Sequence, residues 1–411
     1  MATTFADLPL RSQTIEALHA HGFLAPFAIQ EMVLPIALAD GDVIGQAKTG
    51  TGKTLAFGIP LVDRVIAPTD EEWKSFEYQD SPQVLVVVPT RELAIQVADD
   101  LKLASANRST LVAAIYGGKS YEGQGAQIDA GAQLIVGTPG RLIDLSNQRK
   151  LDLSKIECMV LDEADEMLDL GFLPDVEKLF AFTPAGRQTM LFSATLDGQV
   201  ANLVRRYMKS PKEISIDSPT DTVGTMRHLF LAVHHMDKDR VINSIATAAG
   251  QTVVFCDTKR VCDKVAESLQ SLGANASALH GDMPQNARER ALGKFEKNEL
   301  KILVATDVAA RGIDIPNMEY VINYDLPDNP ENYVHRCGRT GRGNALGQAL
   351  SFCSQDEIPL LDAIEAYTGE EVLRYEITEG EYKAILFDAD DPNYNWQKLL
   401  EENSNPDFWE D

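Results

Sequence analysis

The chain has 411 residues, of which 44% are hydrophobic and 24% are charged. This length and composition predict a globular protein of two or three domains, each large enough for its own core. The formal net charge of −25, from 62 acidic and 37 basic residues, excludes a generic nucleic-acid binder, so any such binding requires a local basic surface.

Targeting signals and stabilising cross-links are not evident in the sequence. Residues 1–7 lack the basic and apolar regions of a signal peptide, and no run approaches the roughly 20 apolar residues of a membrane span. We therefore expect a cytoplasmic protein. The five cysteines include no C-x-x-C pair, which favours buried free thiols over zinc or disulfides; they are Cys158, Cys256, Cys262, Cys337 and Cys353.

A phosphate-binding loop is the first strong motif along the chain. A short apolar run leads into residues 45–54, and residues 55–61 have the pattern of an opening helix. Backbone N–H groups of such a loop face an anion, Lys53 reaches the outer phosphates, and Thr54 offers a hydroxyl to Mg²⁺. Ala47 stands where the strict G-x-x-x-x-G-K-[ST] pattern has its first glycine. The motif predicts nucleotide binding without indicating its use.

Short apolar runs then alternate with helical patterns along the chain. This alternation predicts an α/β protein with two mostly parallel sheets, each with helices on both faces. The predicted strands cover residues 84–88, 111–116, 134–136, 158–161, 189–192, 228–233, 252–256, 274–279, 301–305, 320–323 and 349–353. Helical spacing is clearest at residues 91–103 and 260–272.

Domain boundaries follow from composition. Residues 210–224 are polar, with two prolines and a terminal glycine, which is typical of an interdomain linker. Residues 370–411 carry 13 acidic and 3 basic side chains, a net charge of −10. We predict an N-terminal ATP-binding domain, a linker, a C-terminal domain and an acidic extension, which cover residues 1–215, 216–224, 225–368 and 369–411.

Asp162-Glu163-Ala164-Asp165 follows a predicted buried strand. Carboxylates at the carboxyl end of a parallel strand lie at the crevice where open α/β sheets bind ligands. Asp162 could then hold Mg²⁺ with Thr54, and Glu163 could accept a proton from an attacking water. A solvated acidic loop is the alternative, and the upstream phosphate loop makes it the weaker one.

The ordered motifs resemble those of DEAD-box ATP-dependent RNA helicases of superfamily two, over about residues 5–345. The family's A-x-T-G-x-G-K-T loop matches residues 47–54, so Ala47 belongs to the family pattern. The resemblance implies a bacterial-type minimal core of two RecA-like domains. The other matching segments are 22–30, 89–94, 117–118, 138–141, 162–165, 193–195, 307–314 and 335–342.

The resemblance implies an ATP and Mg²⁺ site. Gln30 is expected to read the adenine edge, where its amide offers both a donor and an acceptor. Phe27 departs from the usual Ser or Thr of the family. The implied catalytic residues are Lys53, Asp162, Glu163, Arg339 and Arg342, and the implied metal ligands are Thr54 and Asp162. The nucleotide-binding residues are Phe5, Gln30, Thr49, Gly50, Thr51, Gly52, Lys53, Thr54, Asp314, Arg339 and Arg342.

Three arginines, Arg336, Arg339 and Arg342, recur at every third position, so they would cluster towards one side of a helix. A solvated basic face is one interpretation. In the second domain of a phosphate-loop protein we favour a composite site, and the resemblance assigns Arg339 and Arg342 to the γ-phosphate as arginine fingers. The residues implied in coupling hydrolysis to RNA release, or one domain to the other, are Ser193, Thr195 and His335.

RNA contacts are also implied by the resemblance. Glycines allow close backbone approach, while Arg and Thr bond phosphates and 2′-hydroxyls, which gives sequence-independent binding. The implied RNA-binding residues are Pro89, Thr90, Arg91, Gly118, Thr138, Gly140 and Arg141 in the first domain, and Gly281, Arg288 and Thr306 in the second.

We therefore expect an RNA-dependent ATPase that clamps, locally unwinds and remodels RNA duplexes or ribonucleoproteins. An ATP-gated RNA clamp without productive unwinding uses the same motifs, so that alternative stays open. A DNA-acting relative is disfavoured by the acidic tetrad together with Gln30 and Phe5. A metabolite kinase would not explain the arginine cluster. The acidic extension could bind a protein partner, and the sequence indicates neither the RNA target nor the oligomeric state.

Overall fold

A computed structural model gives the structure of the chain as two compact units, Met1–Asp217 and Ser218–Asp411. The residues that it describes are 4–47, 51–196, 198–215, 226–248, 251–310, 318, 320–338, 340, 347–369 and 373–377.

The first unit contains a seven-stranded sheet in which every pair of neighbouring strands is parallel. Its order is β3-β4-β2-β5-β6-β1-β7. The strands are β1 (Val43–Gln46), β2 (Val84–Val87), β3 (Val112–Ile115), β4 (Leu134–Gly137), β5 (Cys158–Leu161), β6 (Gln188–Ser193) and β7 (Lys212–Ser215). The predicted parallel sheet is thus confirmed.

Helices cover both faces of this sheet. Along β2, Val84 and Val86 belong to one hydrophobic cluster, whereas Leu85 and Val87 belong to a second cluster on the opposite face. A strand buried on both faces explains the continuous apolar runs in the sequence. The helices are α1 (Ser12–Ala20), α2 (Ala28–Ala37), α3 (Lys53–Arg64), α4 (Arg91–Ala104), α5 (Tyr121–Asp129), α6 (Pro139–Asn147), α7 (Ala164–Asp169), α8 (Leu173–Phe182) and α9 (Gly198–Tyr207).

The second unit repeats this architecture with a parallel sheet of order β10-β11-β9-β12-β13-β8-β14. Its strands are β8 (Met226–Val233), β9 (Thr252–Phe255), β10 (Ala276–Leu279), β11 (Ile302–Ala305), β12 (Tyr320–Asn323), β13 (Gly347–Cys353) and β14 (Leu373–Ile377). Its helices are α10 (Lys238–Ala248), α11 (Lys259–Ser271), α12 (Gln285–Glu296), α13 (Asp307–Ala310), α14 (Pro330–Cys337) and α15 (Ile358–Thr368). Both units have the predicted RecA-like arrangement.

Two strands lie in segments that the sequence analysis did not assign to a sheet. Lys212–Ser215, at the start of the polar stretch, pairs with β1. Leu373–Ile377 pairs with β8, so the second sheet includes residues beyond 368, where the predicted domain ends. The predicted linker at 216–224 lies outside the described residues, as does most of the predicted extension.

The cysteines and the helices agree with two further expectations. All five cysteines are free and buried, which confirms the prediction of unpaired thiols. Among the described residues, every helix is too short or too polar to cross a membrane.

Candidate functional site

The loops at one edge of the first sheet carry most of the predicted site residues. Because the strands are parallel, their carboxyl ends meet at this edge. In sheet order, the loops after β3, β4 and β2 hold the predicted RNA-binding residues of this unit, and the loop after β5 holds Asp162 and Glu163. Ser193 and Thr195 follow at the end of β6, and the phosphate loop follows β1. The predicted RNA and nucleotide groups therefore lie at opposite ends of one edge, with the carboxylates between them.

The described part of the phosphate loop comprises the residues next to β1 and those at the start of α3. Gly52 caps this helix with a φ of 87°, a left-handed conformation that glycine adopts without strain. A Cβ at Gly52 would lie 2.7 Å from the ring of Phe27 and 2.8 Å from the amide nitrogen of Gln30. Lys53 and Thr54 form the first turn of α3, as the motif requires. Thr49 and Gly50, two predicted nucleotide ligands, lie outside the described residues.

The side chain of Gln30 lies against this loop. It is buried, with 1% exposure. Its Nε2 donates to the carbonyl of Gly52 at 3.0 Å, and its Oε1 accepts from the backbone N–H of Phe27 at 2.9 Å. The Phe27 ring is 57% exposed, whereas Phe5 is fully buried in the hydrophobic cluster on this face of the sheet. Gln30 and Phe27 thus lie at the phosphate loop, and Phe5 lies in the core.

Asp162 follows the central strand β5, and the positive charge of Lys53 acts on its carboxyl. Burial raises the pKa of the Asp162 carboxyl from 3.8 to about 7, although the positive charge of Lys53 opposes the shift. A buried carboxylate and the hydroxyl of Thr54 are hard oxygen donors of the kind that Mg²⁺ prefers, usually with substrate phosphates and water as further ligands. Among the described residues, no three His, Cys, Asp or Glu side chains gather as in a dedicated metal centre. The residues present therefore fit a shared Mg²⁺–nucleotide site.

Glu163 has a strained backbone. Its φ and ψ are 52° and 53°, the left-handed region, at the position that caps α7. For a residue with a Cβ this conformation costs about 1–2 kcal/mol. Strain of this kind concentrates at functional sites. The backbone of Glu163 thus agrees with the predicted catalytic position.

Asp165 connects the acidic tetrad to the end of β6. Its carboxylate accepts hydrogen bonds from the backbone N–H groups of Ala194 at 2.8 Å and Thr195 at 3.0 Å, and from the Thr195 hydroxyl at 3.4 Å. The N–H of Asp165 in turn donates to the Ser193 hydroxyl at 3.2 Å. The residues predicted to couple hydrolysis to RNA release are therefore bonded directly to the tetrad.

The same segment is bonded to the phosphate-loop strand. The N–H of Ala47 donates to the carbonyl of Ser193 at 3.2 Å, and the Gln46 amide donates to the carbonyl of Ala194 at 3.1 Å. A displacement of either the tetrad or the phosphate loop would therefore also displace residues 193–195.

Two threonines predicted to bind RNA begin helices at the opposite end of the edge. Thr90 caps α4 and accepts the N–H of Leu93 at 3.3 Å, and Thr138 caps α6. Helix amino ends present free N–H groups and a partial positive charge, which suit phosphate. Pro89, two residues before α4, is buried. Gly140 is exposed, and a Cβ built there would have no atom within 4 Å. These positions therefore give this end of the edge groups that suit an anion.

Arg141 orders a neighbouring loop. Its Nε donates to the carbonyl of Tyr116 at 3.2 Å, another guanidinium nitrogen donates to the carbonyl of Lys119, and its guanidinium lies 4.1 Å from the centre of the Tyr121 ring. The loop between these carbonyls contains Gly118, whose φ is 87°. Arg141 thus holds the glycine loop.

Arg91 lies next to that glycine loop. A Cβ at Gly117 would lie 3.5 Å from a guanidinium nitrogen of Arg91, so the loop passes close to this cation. Arg91 is the first residue of α4, directly after Thr90. The structure therefore brings the predicted RNA residues of the first unit together.

In the second unit, Gly281 and Thr306 follow the neighbouring strands β10 and β11. Gly281 is exposed, and a Cβ there would lie 3.7 Å from the Lys259 side chain. Arg288 is a buried residue of α12. Two of the three predicted RNA residues of this unit are thus adjacent at one sheet edge.

Of the three regularly spaced arginines, Arg336 alone lies among the described residues. Helix α14 ends at Cys337, and Arg336 is directed into the protein with 2% exposure. Its Nε and Nη2 bind both carboxylate oxygens of Asp307, at 2.6 and 2.7 Å. A buried guanidinium requires such pairing, which spacing alone cannot reveal.

The remaining predicted residues of the second unit divide into two groups. His335 lies half-buried in the last turn of α14. Asp314, Arg339 and Arg342 lie outside the described residues.

Sequence reasoning missed Asp165 and Arg336. Asp165 enters the sequence analysis only as the last residue of the tetrad, because its partners Ala194 and Thr195 lie 29 and 30 positions away. No signal in the sequence separates Arg336 from its neighbours, because its partners come from distant segments.

Comparisons with known proteins place this geometry among helicases. The model of the DEAD/DEAH box helicase family matches residues 27–203, and that of the helicase conserved C-terminal domain matches residues 237–344. DEAD-box ATP-dependent RNA helicase CshA of Geobacillus kaustophilus is 41% identical over 374 residues, covering 90% of this chain and 78% of that protein. CshA of Bacillus subtilis is 40% identical over 372 residues, covering 90% and 73%. The structure of S. cerevisiae Dbp5 bound to RNA and ADP BeF3 is similar with a TM-score of 0.83 and 31% identity, covering 95% of this chain and 100% of that one.

Proposed function

Because the chain belongs to the family of DEAD-box ATP-dependent RNA helicases, we propose that it is an RNA-dependent ATPase. It couples ATP binding and hydrolysis to the clamping and local unwinding of RNA duplexes, or to the remodelling of ribonucleoproteins. The order of the loops along the carboxyl edge of the first sheet carries this proposal. This order places the predicted nucleotide-binding residues, the two carboxylates and the predicted RNA-binding residues along one continuous edge.

The similarity to Dbp5 bound to RNA and ADP BeF3 supports the proposal that this chain binds both RNA and a nucleotide. That protein covers nearly the whole of this chain in the alignment. The predicted RNA residues include glycines, threonines and arginines, which contact sugar and phosphate without reading bases. A general RNA-remodelling enzyme needs contacts of this sequence-independent kind.

In the proposed reaction, water attacks the γ-phosphate of ATP, and ADP and phosphate leave. Lys53 holds the outer phosphates, and Glu163 accepts the proton of the attacking water. Thr54 and Asp162 would hold Mg²⁺, which supplies neutralisation of the phosphate charge. Arg339 and Arg342 stabilise the charge that develops on the transferred group. Gln30 orients the adenine, and Asp314 the ribose.

The bonds of Asp165 to residues 194 and 195 support coupling of this chemistry to RNA. They join the tetrad to the segment that is also bonded to the phosphate-loop strand. A change at the γ-phosphate would therefore shift residues 193–195 together with α7. His335 is proposed to couple the second domain to this change.

A strand-displacement assay with a short RNA duplex, run together with ATPase measurements, tests the proposal. We expect single-stranded RNA to stimulate hydrolysis, single-stranded DNA of equal length to stimulate it much less, and ATP to drive strand release. Stimulation by DNA equal to that by RNA would contradict the RNA assignment. ATP-dependent RNA retention without strand release would identify the clamp instead.

Two further expectations remain proposals. The protein acts in the cytoplasm, and residues 369–411 bind a protein partner through their acidic and aromatic side chains. Removing residues 378–411 should leave RNA-stimulated hydrolysis unchanged if this segment serves only a partner. Loss of hydrolysis on removal would instead assign the segment to the catalytic core.

A further inference from the structure

A cavity of about 730 Å³ opens at the amino ends of β1, β6 and β7, the edge of the first sheet opposite the phosphate loop. The end of α2, the end of α3 and the turns before β6 and β7 form its walls. Its charged lining residues are Asp40, Asp42, Arg64, Glu157, Arg187, Lys209 and Lys212. Sequence motifs gave no reason to expect a site here.

Two of the three acidic side chains at this cavity already have partners. Asp42 accepts hydrogen bonds from the backbone N–H groups of Thr189, at 2.8 Å, and of Lys209. Asp40 forms an ion pair with Arg64. Only Glu157, which is exposed, contributes a carboxylate without such a partner among the described residues. Asp40 therefore offsets Arg64, which leaves three cations, Arg187, Lys209 and Lys212, against the two carboxylates of Asp42 and Glu157.

Arg187 is the buried cation of the cavity, with 7% exposure. Its Nη1 donates to the carbonyl of Pro184 at 2.8 Å, while its Nε is buried and has no hydrogen-bond partner in the described structure. Its guanidinium lies 4.7 Å from the centre of the Phe180 ring, which stacks on Tyr207 at 4.2 Å. These contacts hold the guanidinium in place and leave one of its edges unsatisfied.

Lys209 and Lys212 are exposed at the mouth of the cavity. Within the described ranges, neither lysine nor Arg187 forms an ion pair. Burial lowers the pKa of the Arg187 guanidinium, although the negative charge of Asp42 opposes the shift. Three cations therefore converge where the rest of the chain is strongly acidic.

We propose that this cavity binds a small phosphorylated anion. A guanidinium edge chelates two phosphate oxygens, and lysines add charge at the mouth. The volume lies within the range of about 300–1,000 Å³ that is usual for small-molecule sites. Gln188 lines the cavity and Ser193 lies five residues further along β6, about 17 Å away at 3.3 Å per residue, so this site is distinct from the nucleotide site.

An RNA backbone is a weaker candidate for the same cations. The predicted RNA residues of this unit lie at the opposite edge of the sheet, and Arg187 is buried inside the cavity. The inference does not depend on the proposed helicase activity, because none of its residues takes part in that reaction.

Isothermal titration calorimetry with pyrophosphate tests the site in the full chain carrying Lys53→Ala, which removes the phosphate-loop cation. We expect saturable binding of one molecule per chain. Arg187→Gln should weaken binding about 10-fold or more, since a charge-assisted hydrogen bond is lost, and Lys212→Gln about 3-fold. Arg205→Gln, which removes an exposed cation outside the cavity, should leave the affinity unchanged.

The exposed position of Lys212 keeps the test valid if Arg187→Gln fails to fold. The proposal is overturned if pyrophosphate does not bind at concentrations up to about 10 mM. It is also overturned if binding survives both cavity substitutions unchanged. Displacement of pyrophosphate by a short RNA lacking terminal phosphates would assign the cations to RNA and would equally reject a small-anion site.

Discussion

The side-chain amide of Gln30 donates a hydrogen bond to the carbonyl of Gly52 at 3.0 Å, which joins the predicted adenine-reading residue to the phosphate loop. The oxygen of the same amide accepts the N–H of Phe27. An amide has two donor hydrogens and two acceptor lone pairs, so one of each remains for a base. The predicted base recognition and the position of the phosphate loop would therefore be connected through a single side chain.

Gln30→Glu should weaken ATP binding about 10-fold, because a carboxylate cannot donate to Gly52 and would repel its carbonyl. Equilibrium titration with a fluorescent ATP analogue measures the change in Kd. The matched control is Gln13→Glu, an exposed position on α1, which should bind as the unaltered protein does. Equal affinities for both variants would show that the Gln30–Gly52 bond does not support nucleotide binding.

Glu163→Gln should lower the steady-state ATPase rate about 10²–10⁴-fold, the usual contribution of a general base. ATP should still bind, because the amide keeps the shape of the side chain. Glu16→Gln, on the exposed surface of α1, provides the control for loss of one carboxylate. Normal turnover in the Glu163 variant would reject its assignment as the base.

Asp165→Asn should reduce the stimulation of ATPase by RNA about 10-fold with little change in ATP affinity. Both carboxylate oxygens accept backbone N–H groups, one from Ala194 and Thr195 and the other from Glu166, so an asparagine sets its NH₂ group against an N–H donor in either orientation. Thr195→Val removes only the 3.4 Å hydroxyl contact, so its effect should be smaller. The ratio of ATPase rates with and without RNA is the measurement, and an unchanged ratio in both variants would remove the proposed coupling.

The sequence predicted well those features that depend on neighbouring residues. The runs at 84–88 and 158–161 became buried strands because strands covered on both faces need apolar side chains at every position. The phosphate loop followed from its local spacing. β14 was missed because its apolar positions alternate with Arg374 and Glu376 inside a strongly acidic segment.

Features that depend on distant partners could not be predicted in this way. Arg336 resembles its neighbouring arginines, yet its partner Asp307 lies 29 positions away. Arg141 likewise binds carbonyls 22 and 25 positions away. Such pairings are set by sheet order, which brings distant loops together, and residue spacing along one segment carries no information about them.

Arg336→Met should destabilise the second unit by about 3–5 kcal/mol, because Asp307 would lose its buried partner. Arg336→Lys should lower the free energy of unfolding by less than Arg336→Met does, because a lysine keeps the positive charge. It should still lower it, because a lysine cannot bind both carboxylate oxygens as a guanidinium does. Urea unfolding gives the free energies. Arg240→Met removes an exposed arginine paired with Asp237 at 3.2 Å, and it should cost about 1 kcal/mol or less. Comparable losses at positions 336 and 240 would contradict the structural role of Arg336.

His228 is a buried group in the second unit that titrates in an accessible pH range. Its Nδ1 lies 2.7 Å from the hydroxyl of Tyr333, and its Nε2 is buried without a hydrogen-bond partner in the described structure. Burial lowers the pKa of His228 from 6.5 to about 4. The folded protein therefore disfavours the charged imidazole.

Between pH 6.5 and 4 the unfolded chain binds a proton at His228 that the folded chain does not, so stability falls as pH falls through this range. The full contribution is present above pH 6.5, and its loss by pH 4 amounts to about 3 kcal/mol at 1.36 kcal/mol per pKa unit. Urea unfolding of His228→Gln, which stays neutral, should show a correspondingly flatter pH dependence. Burial raises the pKa of Asp100 to about 6, which makes stability fall as pH rises. Subtracting the unfolding free energies of the parent from those of the variant removes this contribution and those of the other groups. His235→Gln, at an exposed histidine, should have the same dependence of unfolding free energy on pH as the parent. If His228→Gln also has that dependence, the imidazole of His228 does not control stability in acid.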